Sequence, residues 1–411
     1  MKNIVVAASV LLLAYYGPQQ DKSNHFDMVW MLGELALLAV VAGRLAESLR
    51  LPALLGWVAA GLALGKSGLQ LVYPDVFSLH PILLLLAGLW IGLQVGLHLI
   101  WPAQLDWRGP VLLALVTALV FVVVSVAVAL LVEPPLGLAL LIGALACLWG
   151  PFTTVPEFGQ RGALLLSVLG AGFALVVLSG VLILPESKTV LKTGAVAWVL
   201  HVWLSLVAGG LLGLVLRLMR LFAAPLASLM VAFLFAALAL AELELMALPC
   251  GLVTGLVLGR DRSQARRVRL ILHRSVPAAF MLFFGLMGTA LDLGSLWSPL
   301  AGLYEIALVL VLVPLLLRVL APMAYYPLSA PDPGPGRRIG WLLLPRGALL
   351  FELFYGPHGL EQYTLSEGLL GQAVLVDLLF SVLLFSALAA LFGAKIFGRE
   401  KTRAMPAIVA S

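Results

Sequence analysis

The chain has 411 residues, of which 62% are hydrophobic and only 11% charged, and its mean hydropathy is +1.10. About a quarter of a soluble domain is Asp, Glu, Lys and Arg, so this composition excludes a soluble fold and points to a polytopic membrane protein. The formal charge of +5 calls for no nucleic acid, because no stretch between apolar runs is long enough to form a soluble binding domain.

Apolar runs of about 15 to 25 residues, the length of a helix crossing a hydrocarbon core, recur along the chain, whereas barrel strands would be shorter and alternating. The predicted spans are Val5–Tyr16, Met28–Leu45, Leu51–Gly65, Pro81–Ile100, Pro110–Val132, Leu136–Val155 and Ala163–Leu184. They continue with Val190–Val215, Leu226–Leu240, Met246–Leu258, Val276–Leu291, Leu300–Leu320, Ile339–Tyr355 and Leu369–Phe392. Lys2, a short apolar run and Gly17-Pro18 make the first a secretory signal peptide or a short anchor; either leaves Gln19–His25 outside the cytoplasm. The fold class is therefore all-α and polytopic, with 13 or 14 transmembrane helices. The expected organisation is an apolar segment and extracytoplasmic stretch over 1–27, a transmembrane domain over 28–395, and a cytoplasmic tail over 396–411. Met323–Arg338, rich in proline, reads as a stiff linker.

Charge tests the orientation. With a cytoplasmic N-terminus, Lys22, Lys66, Lys188 and Lys192 fall on the outer side, and all the other lysines and arginines except Arg346 fall on the cytoplasmic side. That bias predicts a multi-pass protein of the bacterial cytoplasmic (inner) membrane with its C-terminus inside. The basic run Arg260–Arg274 reads as a topology anchor touching anionic lipid.

The six histidines are dispersed, and the chain has no CxxC, HExxH or GxSxG pattern and no phosphate-loop lysine motif. A metal centre, a cofactor and an enzymatic activity are therefore not expected. Cys147 and Cys250 lie in apolar helices and read as packing groups. Gly61 and Gly65, then Gly88, Gly92 and Gly96, then Gly251, Gly255 and Gly259, each lay a smooth stripe on one helix face. Such stripes allow close backbone approach.

A more specific pattern is Leu148-Trp-Gly-Pro-Phe-Thr-Thr-Val-Pro-Glu157, where two prolines and a glycine break a spanning helix. Lipid tolerates a break only where protein or a cavity satisfies the freed backbone, and Thr153 and Thr154 are placed to help. Leu344-Pro-Arg-Gly-Ala348 is a second break. If the halves begin at Met28 and Leu226, both breaks fall in the fifth helix of their half, as an inverted repeat would place them.

Several motifs, in order over residues 28–395, resemble those of the monovalent cation:proton antiporter superfamily, of the sodium/proton exchanger and glutathione-gated potassium-efflux type. They are Leu54-Leu-Gly-Trp-Val-Ala-Ala-Gly-Leu-Ala-Leu-Gly-Lys-Ser-Gly68, Leu84-Leu-Leu-Ala-Gly-Leu89, Gly150-Pro-Phe-Thr-Thr154, Leu248-Pro-Cys-Gly-Leu-Val-Thr-Gly-Leu-Val-Leu258, Phe283-Phe-Gly-Leu-Met-Gly-Thr-Ala-Leu-Asp-Leu293 and Leu344-Pro-Arg-Gly-Ala-Leu-Leu-Phe351. The resemblance implies an inverted-repeat antiporter-like fold with two broken, crossing helices, and a homodimer. It also implies an aspartate-containing pair on the helix after the first break, yet Gly170–Ser179 has no ionisable group here. Lys66 stands where the family usually has proline, and Trp90 and Ala348 stand where it commonly has glutamate. On this reading the chain is a divergent member without the ion-binding aspartate pair.

Other intramembrane charges are the replacement candidates, because such groups are expensive in lipid. Glu352 lies four residues beyond Ala348, one turn on the same face and about 6 Å away. Glu305, Arg346 and Asp377 complete the candidate ion path with Thr153 and Thr154, and pairs of Arg346 with Glu305 or Glu352 would brace the breaks. Glu34 is a further intramembrane carboxylate, while Asp292 and Glu157 read as capping or snorkelling groups near the interfaces.

Three functions are open at this point. The first is a secondary transporter exchanging a monovalent cation for protons through displaced carboxylates. The second is a transporter of a neutral or anionic solute. The third is a non-transporting sensor or subunit that keeps the fold and works with a membrane-protein partner. Lipid is the surrounding partner in every case.

Overall fold

The computed structural model describes residues 25–49, 51–72, 80–98, 108–132, 134–147, 161–183, 195–218, 225–260, 262–297, 302–310, 312, 352 and 369–379. Among these the chain is helical nearly throughout. The helices are α1 (His25–Ser48), α2 (Ala53–Leu64), α3 (His80–His98), α4 (Arg108–Val132), α5 (Leu136–Ala146) and α6 (Arg161–Ile183). After them come α7 (Ala195–Leu218), α8 (Pro225–Glu242), α9 (Ala247–Gly259), α10 (Arg262–Ala290), a 3₁₀ turn (Leu293–Trp297), a helical stretch over 303–310, and α11 (Leu369–Leu379).

The burial pattern is that of helices in lipid. Along α4, Val116, Val120, Val124 and Val128 are buried at a spacing of four, and Leu115, Leu119, Val122, Val126 and Leu130 are exposed on the opposite face. Both faces are apolar. In water the outer face would be polar, so its leucines and valines mark contact with hydrocarbon. The same holds for α7, where Leu200, Val207, Leu211 and Leu214 face outward. Windows of 18 residues in α4 and 21 residues in α7 are long and apolar enough to cross a bilayer.

Packing gathers the described helices into two groups. The first contains α1, α2, α3, α7, α8, α9 and α10; its main pairs are α3 with α9, α7 with α9, α1 with α2, and α2 with α10. The second contains α4, α5 and α6, with α11 against α5. Links between the groups are sparser: α6 touches α7 and α3, and α11 touches the 3₁₀ turn that follows α10.

The glycine stripes are the seams of the first group. A methyl at Gly92 would overlap the Leu248 carbonyl oxygen, and one at Gly251 would overlap that of Leu89, so α3 and α9 meet backbone to backbone. On the other side of the group, methyls at Gly61 and Gly65 would run into Gly285, Gly288 and Thr289 of α10. Gly61 thus faces Gly288 while Gly255 faces Gly96. Close approach of this kind supplies the dispersion that holds helices together where lipid removes the hydrophobic driving force. Trp90 adds a cross-tie. Its indole N–H donates to Ser275 Oγ of α10 at 3.0 Å, and its ring stands edge-on to Phe233 of α8 with centroids 5.3 Å apart.

The end of α2 is closed by its own chain. Gly65 N donates to Gly61 O, and the turn that follows doubles back so that Leu71 N and Val72 N both reach Leu64 O at 2.9 Å. A clasp to α10 continues from there: Ser67 Oγ donates to Leu291 O and accepts from Leu293 N at 2.7 Å. Asp292 caps the 3₁₀ turn by accepting from Gly294 N, as expected of a capping group, and pairs with Lys66 at 3.4 Å.

Two boundaries differ from the sequence reading. Helix α10 starts at Arg262, not Val276, and continues through Pro277. The basic run is therefore helical, with Ala265 and Val268 buried one turn apart; hydropathy detects only the apolar part of such a helix. Helix α5 ends at Ala146, with Cys147 as its C-cap, although the predicted span ran to Val155. Gly150–Thr154, Leu344–Ala348 and the apolar segment Val5–Tyr16 lie outside the described residues.

Candidate functional site

The site is built on the N-terminus of α9. A helix leaves its first N–H groups without intrahelical partners, and in a membrane interior each such group costs several kcal/mol if nothing accepts from it. The N-cap residue is Met246, which makes no side-chain cap hydrogen bond. Acceptors therefore have to come from elsewhere in the fold.

Two side chains provide them. Ser205 of α7 accepts from Met246 N at 2.8 Å, while its hydroxyl donates to His201 O one turn back. Glu352 satisfies the next two donors. Its Oε1 accepts from Ala247 N at 2.7 Å and from Leu248 N at 3.0 Å, and its Oε2 accepts from Leu248 N at 2.9 Å. The carboxylate is 3% exposed. Its oxygens lie at the positive end of the α9 dipole, where backbone N–H groups otherwise lack acceptors.

Depth follows from α3. Gly88, beside Ala247 and Glu352 Oε1, is eight residues into a 19-residue helix, or about 12 Å along its axis. Glu352 thus meets α9 well inside the slab spanned by α3, not at its rim. A methyl at Gly88 would stand 3.2 Å from the Ala247 Cβ and 3.5 Å from Glu352 Oε1, so the small residue leaves room for the carboxylate.

The other candidates are dispersed. Asp377 is 2% exposed on α11, the helix against α5, and Gln372 of the same helix is also buried. Glu305 is exposed beside Tyr304 on the stretch 303–310, so it faces out of the described bundle. Thr153, Thr154 and Arg346 lie outside the described residues, and with Arg346 so do the proposed Arg346 pairs. Glu34 is half-buried in the middle of α1, next to the Trp30 indole. Cys147 and Cys250 are free, buried thiols; Cys147 Sγ sits 3.3 Å from Thr117 O, tying α5 to α4. Sequence reasoning missed Ser205. The signal was there in the uncapped start Met246-Ala-Leu-Pro, which demands an acceptor from another helix.

The model of the family described as sodium/hydrogen exchanger, transmembrane, matches residues 34–396. The chain belongs to that family. It is therefore a multi-pass membrane protein of secondary-transporter type, related to cation/proton antiporters, and not an enzyme. A structure of the sodium proton antiporter MjNhaP1 from Methanocaldococcus jannaschii at pH 8 is similar over 90% of this chain and 98% of that chain, at 17% identity and TM-score 0.60. A second, from an electron-microscopy map of the same antiporter, is similar over 92% and 98%, at 16% identity and TM-score 0.64. At these identities the likeness is one of fold. No curated protein matches the chain. Helix α6 carries no ionisable side chain after Arg161.

Proposed function

We propose that the protein is a proton-coupled monovalent-cation antiporter in which Asp377 is the exchanging carboxylate, with the second helix group moving against the first. The observation that carries this is the placement of a membrane-buried carboxylate on α11, packed on α5. The chain leaves α5 directly into the Gly150–Thr154 break. A carboxylate buried there can hold a cation or a proton in turn, which the alanines and valines of α6 cannot. Thr153 and Thr154 add hydroxyl oxygens to the path, and Arg346 offsets negative charge at the second break. Glu305 faces away from this route and is assigned to the periphery.

A sequence match between the two halves, of the kind an inverted repeat would leave, supports the alternating-access part of this reading. Residues 51–66 and 245–260 align without gaps, with identities at Leu51/Leu245, Ala53/Ala247, Leu54/Leu248, Gly61/Gly255, Leu62/Leu256, Leu64/Leu258 and Gly65/Gly259. The two segments form α2 and α9, and each packs by its glycines on the third helix of the opposite half. Sparse links between the helix groups are what a rocking motion requires. Bacterial inner-membrane location, a cytoplasmic C-terminus and a homodimer complete the proposal.

The test is internal pH in proteoliposomes after sodium, potassium or lithium is added outside. Cation-dependent proton movement in the native chain, lost in Asp377→Asn, supports the proposal; equal movement in the two chains removes Asp377 from it. The bare α6 favours a second reading, transport of a neutral or anionic solute, which gains if no cation moves protons.

A further inference from the structure

Helix α1 packs on α2 and α10 through one face: Gly43 lies against Trp57 of α2, and Leu35 against Gly285 of α10. On the opposite face Trp30, Gly33, Leu37, Val40 and Arg44 are all exposed. Their alternating spacing of three and four is that of the seam along which two helices pair with a left-handed crossing. A methyl at Gly33 would meet nothing within 4 Å, so the seam is open there. Exposed apolar residues alone mean only contact with lipid, but a carboxylate does not suit lipid. Glu34 stands half-buried beside the seam, one turn from both Trp30 and Leu37, and nine residues, or about 14 Å, along α1 from His25. The Trp30 indole is next to its carboxylate, and Oε1 has no hydrogen-bond partner. Arg44 on the same face is ten residues away, about 15 Å, too far for an ion pair. Hydrocarbon offers neither donor nor counter-charge, and a charge left so is costly. The carboxylate turns about its last torsion, so either oxygen can face the seam.

We infer that this face of α1 docks a membrane-spanning helix of another protein, one that carries an arginine or lysine level with Glu34. Charge complementarity selects that occupant. A second copy joined through the same seam, about a two-fold axis along the membrane normal, would set Glu34 against Glu34 at one depth, like charge on like. A basic side chain supplies the donor and the charge that Glu34 lacks, and Gly33 lets its helix approach closely. Docking of this kind does not depend on whether the chain moves cations.

The experiment uses the full chain in lipid vesicles, with a donor fluorophore at Leu49→Cys, exposed at the cytoplasmic end of α1, and with Cys147 and Cys250 replaced by alanine. The probe is a synthetic leucine–alanine transmembrane helix carrying an acceptor at its cytoplasmic end and one arginine about 22 Å from it, level with Glu34. Saturable energy transfer is expected for the native chain, with binding about tenfold weaker when leucine replaces the arginine of the peptide, and about tenfold weaker for Glu34→Gln. Gly33→Leu fills the seam, keeps the charge and is expected to weaken binding as well. Glu305→Gln removes an exposed carboxylate elsewhere and is expected to change nothing. Equal binding of the arginine and leucine peptides, or unweakened binding by Glu34→Gln or Gly33→Leu in folded protein, refutes the docking site. No saturable transfer from either peptide leaves lipid as the occupant and refutes it too. Transfer between two labelled copies of the chain that excess arginine peptide fails to displace makes the face an interface between copies, which also overturns the proposal.

Discussion

Alanine at Gly255 should damage the protein, and alanine at Gly259, one turn along the same stripe, should not. At Gly255 an added methyl would overlap the Leu93 carbonyl oxygen and stand 2.8 Å from both Gly96 Cα and Leu97 N. Ordinary van der Waals contact begins near 3.4 Å. Clearing the nearest of these atoms would part helices α3 and α9 by about 1 Å at this level, a gap that forfeits up to about half of the attraction between facing atoms. The obstacle is backbone, which cannot swing aside as a flexible side chain can. Overpacking of this kind costs about 1–3 kcal/mol, against a gain of up to about 1 kcal/mol from replacing glycine in a helix. At Gly259 the nearest atoms stand 3.8 Å and 4.0 Å away, so the methyl fits and only the gain remains. Thermal unfolding in detergent, followed by tryptophan fluorescence, should give a lower midpoint for Gly255→Ala and an equal or higher one for Gly259→Ala. Equal midpoints for the two variants would refute backbone contact along this seam.

The clasp between α2 and α10 should depend on the serine and not on the ion pair: Ser67→Ala loses a donor to Leu291 O and an acceptor for Leu293 N and should cost about 1–2 kcal/mol. Lys66→Ala breaks a pair whose side chains are 58% and 43% exposed and should change the midpoint by less than about 1 kcal/mol in free energy; a larger effect for Lys66 reverses the assignment. Thr254→Val keeps the volume but removes a hydroxyl that reaches Gly209 O at 3.0 Å and Cys250 O at 2.8 Å, so a loss of about 1 kcal/mol is expected, measured by the same unfolding. Both native thiols are buried, and N-ethylmaleimide should modify them at the rate of unfolding, not of mixing, as mass spectrometry over time would establish.

The architecture was largely legible because lipid imposes a simple rule: a long apolar run must be helical to satisfy its own backbone. Eight of the eleven labelled helices follow the apolar runs closely, and for α11 the run continues beyond the described residues. Helix α10 and helix α5 do not, and for opposite reasons. In α10 the run Arg262–Arg274 is polar enough to escape hydropathy but still continues the helix. In α5 the helix stops at Ala146 while apolar residues go on. Glycine spacing identified the contact faces of α2, α3 and α9 correctly; it could not say that Gly61 meets Gly288 while Gly96 meets Gly255, because partner choice is a property of the assembled bundle. At the site, sequence picked out Glu352 as a costly buried charge. Its partners are backbone N–H groups, which have no side-chain signature, so the pairing with the start of α9 was not readable from residue types.

The most direct test of cation–proton exchange is to follow proton efflux and labelled cation uptake together in one population of proteoliposomes, for the native chain and for Asp377→Asn. The expected result is that both fluxes run in the native chain, each requires the other, and both vanish in the variant. Cation uptake without proton movement, or full exchange in Asp377→Asn, would contradict the proposed mechanism.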